Sequence, residues 1–112
     1  MTGIAGLITK FGQKEVDQLF KKSHRIFHDI HMTLLATPRE KDYARVLIIT
    51  QRAVGNSVCR HLLRRRIKHV FYQEKLFEQL KYDIIVITKK PITLFDFQEL
   101  KEFFLKAVGT IR

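Results

Sequence analysis

Residues 43–73 carry seven cationic side chains, Arg45, Arg52, Arg60, Arg64, Arg65, Arg66 and Lys68, and not one Asp or Glu. A stretch of single sign has one plain chemistry: it neutralises a polyanion, and its spread along the chain fits a track of phosphates better than one small anion. Ordinary solvated helix faces mix signs through Glu and Lys four residues apart, and here no such pair exists. Within the stretch, Gly55-Asn56-Ser57 reads as a turn. Asn56 or Ser57 can cap the helix that follows, and the unpaired backbone N–H groups of a first helical turn favour anions.

The remaining reactive side chains assemble no catalytic constellation. His24, His28 and His31 with Asp29 follow neither one helix face nor a zinc-binding spacing, so they read as surface or sheet histidines and no metal site is expected. Cys59 and His61 stand two apart on a helix and point to different sides, which excludes a thiolate–imidazole pair and leaves Cys59 as core or boundary. The sequence has no Gly-rich phosphate loop ending in Lys, no H-E-x-x-H and no spaced Cys pairs. Its acids lie outside the basic stretch, in the wrong place to hold two metal ions against a phosphodiester. No catalytic residue is expected on this chain.

Composition agrees. The chain has 112 residues, 21 Lys plus Arg against 11 Asp plus Glu, a net charge of +10 and 46% hydrophobic residues. That is one domain with a core, and not a collagen-like, coiled-coil or disordered chain. Nucleic acid is the first partner such a charge suggests and an anionic membrane surface the second. No run approaches the ~20 apolar residues of a membrane span. Residues 4–8 are too short, and lack a preceding basic residue, for a signal segment. The single Cys59 offers no disulfide framework and points to a reducing, cytoplasmic interior.

The elements that must position these cations follow from periodicity. Residues 1–12, with Gly3, Gly6 and Gly12, read as a flexible N-terminal segment until Phe11 or Val16 docks, and residues 13–112 as a single domain. Val16, Leu19 and Phe20 mark one face of a short helix over 13–22. Residues 25–36 suit two short strands with a bend at 29–31, followed by a polar turn at 37–42. The β-branched runs at 45–50 and 83–88 are apolar on both alternations and read as interior strands covered on two faces. No Gly or Pro interrupts residues 58–80, which predicts one long helix. Val58, Cys59, Leu62, Leu63, Ile67, Val70 and Phe71 fall on its apolar arc, with Arg66 inside that arc; Arg60, His61, Arg64, Arg65 and Lys68 fall on the other. Asp96 to Glu99 can cap a last helix that Gly109 stops. The order is α-β-β-β-α-β-α, an α+β sandwich of helices on a four-stranded sheet.

The run R-V-L-I-I-T-Q-R-A-V-G-N-S-V-C-R-H-L-L-R-R at 45–65, with Val70-Phe71 on the same helix and D-I-I-V-I at 83–87, resembles the protein subunit of bacterial ribonuclease P. That family carries R-L-G-I-x-V-x-K-K-x-G-x-A-x-x-R-N-R-[IL]-K-R, then a Phe, then D-[IV]-V-[VI]-[IV]. The likeness spans residues 13–108. In the ungapped register Arg60 falls on the first Arg of the R-N-R box, Arg64 and Arg65 on the following Lys-Arg, and Arg52 on a basic residue closing the third strand. His61, Leu62 and Ala53 stand where the family has Asn, Arg and Lys, and Arg66 or Lys68 is at hand to replace the missing Arg. A shift of four residues would put Arg64 to Lys68 on the box, but it requires an inserted helical turn and a compensating deletion.

The resemblance implies a protein cofactor. In the family the RNA subunit cleaves precursor tRNA with Mg²⁺, held mainly by RNA and substrate, while the protein binds that RNA and the 5′ leader. The implied RNA-binding set is Arg52, Asn56, Arg60, His61, Arg64, Arg65 and Lys68. The implied leader cleft is Val16 and Phe20 from the first helix with Met32 and Leu34 from the second strand, where the family usually has an aromatic. The resemblance also implies a ribosomal protein S5 domain 2-like arrangement with a left-handed β-α-β crossover, the rare hand. The rival reading is a non-catalytic ribosome- or rRNA-associated basic protein, since small basic α+β folds serve there too.

Overall fold

The computed structural model describes residues 6–89 and 97–109. The elements run α1 (Gln13–Lys22), β1 (His24–His28), β2 (Met32–Pro38), β3 (Val46–Thr50), a 3-10 turn (Arg52–Val54), α2 (Ser57–Gln73), α3 (Leu76–Gln79), β4 (Tyr82–Thr88) and α4 (Phe97–Val108). They form the expected α+β sandwich on a four-stranded sheet, in strand order β1-β2-β4-β3. β1 with β2 and β2 with β4 are antiparallel; β3 lies parallel to β4, so α2 and α3 are the crossover of a β-α-β unit. The expected cap at Asp96 lies outside the described residues.

Local chemistry sets the ends of these elements. The Glu15 carboxylate accepts the Gly12 N–H at 3.1 Å at the start of α1, and Lys21 and Lys22 complement the dipole at its end. The bend between β1 and β2 is held by Asp29, which accepts from the His31 N–H at 3.1 Å and meets the His31 ring at 2.9 Å. Those bonds hold the Asp29 carboxyl below the usual carboxylate range.

The sheet has two covered faces. Met32, Leu34, Ala36, Val46, Ile84 and Val86 lie in the main core with Leu63, Ile67, Val70 and Phe71 of α2 and Leu100 and Phe104 of α4. The alternate positions, Thr33, Leu35, Thr37, Leu47, Ile49, Asp83, Ile85 and Ile87, form the other face. α1 sits over one end of it: Leu19 shares a pocket of about 190 Å³ with Thr37, Asp83 and Arg45.

Three expectations change. The single helix over 58–80 is two, because Lys75 takes a left-handed backbone, φ 54°, between α2 and α3. An unbroken helix of that length would run roughly 35 Å, against 34 Å for the longest extent of the whole fold. The turn instead folds Leu76, Phe77 and Leu80 into the core. Secondly, β3 is an edge strand, half-buried after Val46. α2 packs on one of its faces, and β4 is the strand that pairs with it. Thirdly, the segment before α1 is packed where it is described: Ile8 is fully buried, and its carbonyl accepts the Val46 N–H at 2.7 Å.

Arg45 explains much of that packing, and it leaves the basic stretch in doing so. Only 2% of the residue is exposed. Its guanidinium donates to Glu15 Oε2 at 2.6 Å and to the Lys10 carbonyl at 3.1 Å, meets Asp83 Oδ2 at 3.4 Å, and lies 4.3 Å from the centre of the Phe11 ring. Its backbone N–H donates to Asp83 Oδ1 at 2.9 Å. One cation therefore ties β3, β4, α1 and the segment before α1 together.

Candidate nucleic-acid interface

The basic helix begins at a backbone only glycine fits. Gly55 has φ 150°, and a Cβ built there would lie 3.0 Å from the Cys59 Cβ. Asn56 then caps α2, its side-chain oxygen accepting the Cys59 N–H at 2.9 Å. Gly55→Ala is expected to cost roughly 1 to 3 kcal/mol of stability through backbone strain, read as a lowered melting temperature. A melting curve equal to the parent's would show that the turn relaxes without strain.

α2 buries a narrower stripe than the sequence suggests: Leu63, Ile67, Val70 and Phe71. Val58 is 74% exposed, because it lies roughly 140° around the helix from Leu63; Cys59 and Leu62 are half-buried boundary residues. The cations flank this stripe unevenly. Arg60, Arg64 and Lys68 succeed one another at single-turn intervals on the side next to β3. Arg64 donates to Thr50 Oγ1 at 2.9 Å. With Arg65 and Lys68 it lines a groove of about 240 Å³ along β3, whose floor is Val46, Leu47 and Ile48. Arg60 is half-buried, with its Nε unpaired. His61 and Arg65 are exposed, as are Arg52 on the 3-10 turn and Asn56 at the cap. Arg66 is half-buried on the opposite flank, in line with Cys59 and Leu62, and so stands apart from the row.

The other expected surface is only partly as the sequence suggests. Val16 is half-buried and Phe20 is 40% exposed on α1. Met32 and Leu34, however, are fully buried in the main core and cannot meet a ligand. Strand alternation turns them toward α2 and α4, and the half-buried Leu35 and Ile87 take the face that α1 overhangs.

A compact α+β sandwich with a row of cations on one helix that meets no carboxylate among the described residues, beside the open edge of a sheet, defines a small basic protein of the RNA-associated class. Residues 12–112 match the Ribonuclease P family model, and the chain belongs to that family, the protein component of the ribonuclease P endoribonuclease that acts in tRNA processing. It is 29% identical over 100 residues to the ribonuclease P protein component of Petrotoga mobilis, covering 86% of this chain and 84% of that one. Against the component from Streptococcus agalactiae it is 34% identical over 76 residues, covering 65% and 69%. Among solved structures it resembles the RNase P protein of Staphylococcus aureus, with TM-score 0.74, 22% identity and 92% and 96% of the two chains covered. The RNase P protein of Thermotoga maritima gives 0.75, 23%, 89% and 94%. No helix among the described residues is long and apolar enough to cross a membrane.

Proposed function

We propose that this chain binds the catalytic RNA subunit of ribonuclease P through Arg52, Asn56, Arg60, His61, Arg64, Arg65 and Lys68, and takes the 5′ leader of precursor tRNA against Val16 and Phe20. The observation that supports this best is the sorting of charge. Arg45 is neutralised inside the fold by Glu15 and Asp83, whereas Arg60, Arg64, Arg65 and Lys68 meet no carboxylate among the described residues, and the last three border a groove along β3. In this reading one RNA-binding domain spans 13–112, Mg²⁺ is held by the RNA subunit and substrate, and the protein works in a reducing cytoplasm. It raises substrate affinity and leaves the phosphodiester chemistry to the RNA.

Mixing the purified chain with a bacterial ribonuclease P RNA and precursor tRNA at low Mg²⁺ tests the reading. Stimulated cleavage is expected. RNA binding without stimulation would favour the ribosome-associated alternative, and cleavage without added RNA would place the chemistry on the protein.

Phe20 tests the leader surface separately. Because it is 40% exposed, Phe20→Ala should melt near the parent temperature. It should weaken precursor tRNA binding to the assembled enzyme by roughly five- to a hundred-fold, the worth of one stacked base, and leave mature tRNA unaffected. Equal losses for both tRNAs, or a collapsed melting point, would end that assignment.

A further inference from the structure

α2 carries an aromatic side chain on the same stripe as its outward cations. His61, Arg65, Lys68 and Tyr72 follow at i, i+4, i+7 and i+11, the spacing of one helix face. That face is turned from the core: His61, Arg65 and Tyr72 are exposed and Lys68 is half-buried. Tyr72 is nevertheless held in place. Its ring lies nearly parallel to that of Phe77, with centroids 5.7 Å apart and planes inclined by 13°. Phe77 is itself only 8% exposed and belongs to the core. The left-handed turn at Lys75 creates this pair by folding α3 back beside the end of α2. Glu74, the acid two residues beyond Tyr72, is paired with Lys101 at 3.1 Å.

We propose that Tyr72 is a stacking platform for an unpaired base of the RNA held by the α2 cations. This rests on the reading of α2 as an RNA-binding helix and adds a contact of a different kind. Phe77 occupies one face of the ring, yet Tyr72 remains 41% exposed. It lies about two turns, roughly 10 Å, along the helix from Arg65. A strand whose phosphates meet Arg65 and Lys68 brings an unpaired base within reach. Stacking accepts any base, requires only that it be unpaired, and loses little side-chain freedom when the ring is already fixed. The cations supply a contact that weakens with salt; the ring supplies one that does not.

The chain has no Trp, so Tyr72→Trp introduces a single indole reporter. Its emission is expected to be quenched by a bacterial ribonuclease P RNA, and unchanged by a fully paired RNA duplex bound through phosphates alone. Tyr72→Phe should bind that ribonuclease P RNA as the parent does. Tyr72→Ala should bind about ten-fold more weakly with the same salt slope, whereas Arg65→Ala should lower the slope by about 0.7 to 0.9. Melting temperatures of all variants separate lost stacking from lost folding. Parent-like affinity for Tyr72→Ala, or unquenched emission while the RNA is bound, would overturn the platform and leave the cationic helix standing. Failure of the parent itself to bind the RNA would overturn the reading of α2, and the platform with it.

Discussion

Arg45→Met should lower folding stability by roughly 3 to 5 kcal/mol, the cost of breaking a buried ion pair from one side. A domain of this size has about 5 to 15 kcal/mol in all, so the variant is expected to melt many degrees earlier. The loss arises because Asp83, 1% exposed, loses the guanidinium and keeps only the backbone N–H of residue 45, while the Lys10 carbonyl and Glu15 Oε2 lose the guanidinium as a donor. The variant should also change its dependence on pH. Burial already pushes the Asp83 carboxyl above the usual carboxylate range, against the pull of the Arg45 backbone N–H and guanidinium. Removing the guanidinium raises it further. A carboxyl raised on folding favours the folded state below its unfolded value near 3.8, and that advantage is lost as pH climbs through the folded value.

Relative to the parent, Arg45→Met should therefore lose most near neutrality and less toward acid. Glu15 works in the other direction. Arg45 holds its carboxyl below the ordinary value of 4.5, so its contribution in the parent is complete above that value and fades as pH falls through the lowered one. That acid-side loss should be smaller in the variant, where the Gly12 N–H and Lys41 still favour the charged form. Thermal melts of both proteins from about pH 3 to about pH 8 read all of this. Adding Asp83→Asn to Arg45→Met should restore part of the stability, since a neutral amide is less costly to bury than a carboxylate without its counter-ion. An unchanged melting curve for Arg45→Met would mean that the pair organises nothing.

The second large effect is on binding. Replacing Arg60, Arg64, Arg65 and Lys68 together by Ala should reduce the salt slope of RNA binding by about 3 and the affinity by a few hundred-fold at physiological salt. Stability should change by less than about 1 kcal/mol, because exposed polar contacts such as Arg64 with Thr50 contribute little. Removing the same charge from Lys21, Lys41, Lys81 and Lys106, all exposed and away from α2, should cost far less. Similar losses in the two sets would show that net charge, and not the row on α2, drives binding. Arg66→Leu, on the opposite flank, should leave the slope as it was.

Much of this architecture is written in short-range patterns. The spacing of Val16, Leu19 and Phe20 places α1, and the β-branched runs place β3 and β4 to within a residue. Long-range pairing was not legible in the same way. β2 is apolar or small on both alternations and covered on both faces, so nothing local says that Met32 and Leu34 face α2 while Thr33 and Leu35 face α1. The position of β3 at the sheet edge depends on strand order, which no local pattern encodes. Arg45 counted as one more surface cation because its partners, Glu15 and Asp83, lie 30 positions before and 38 after it. The break at Lys75 carries no Gly or Pro to announce it. Tyr72 did have a signal: it stands four residues after Lys68 and seven after Arg65, on the helix face already assigned to the cations.

The open side of β3 bears on how the protein stays dispersed before it meets RNA. The register with β4 turns the N–H and C=O groups of Ile48 and Thr50 away from the sheet, and no backbone group among the described residues pairs with them; only Val46 is covered, by Ile8. Such a rim is a template on which a second copy could add its own strand and begin to aggregate. Arg64, Arg65 and Lys68 border that rim, and two chains of net charge +10 repel one another as they approach edge to edge. Under the proposed function, the colloidal safety of the unbound protein thus depends on the same side chains as its affinity. In that reading, an RNA held in the groove would discharge the guard and, by lying along the strand, take over its duty.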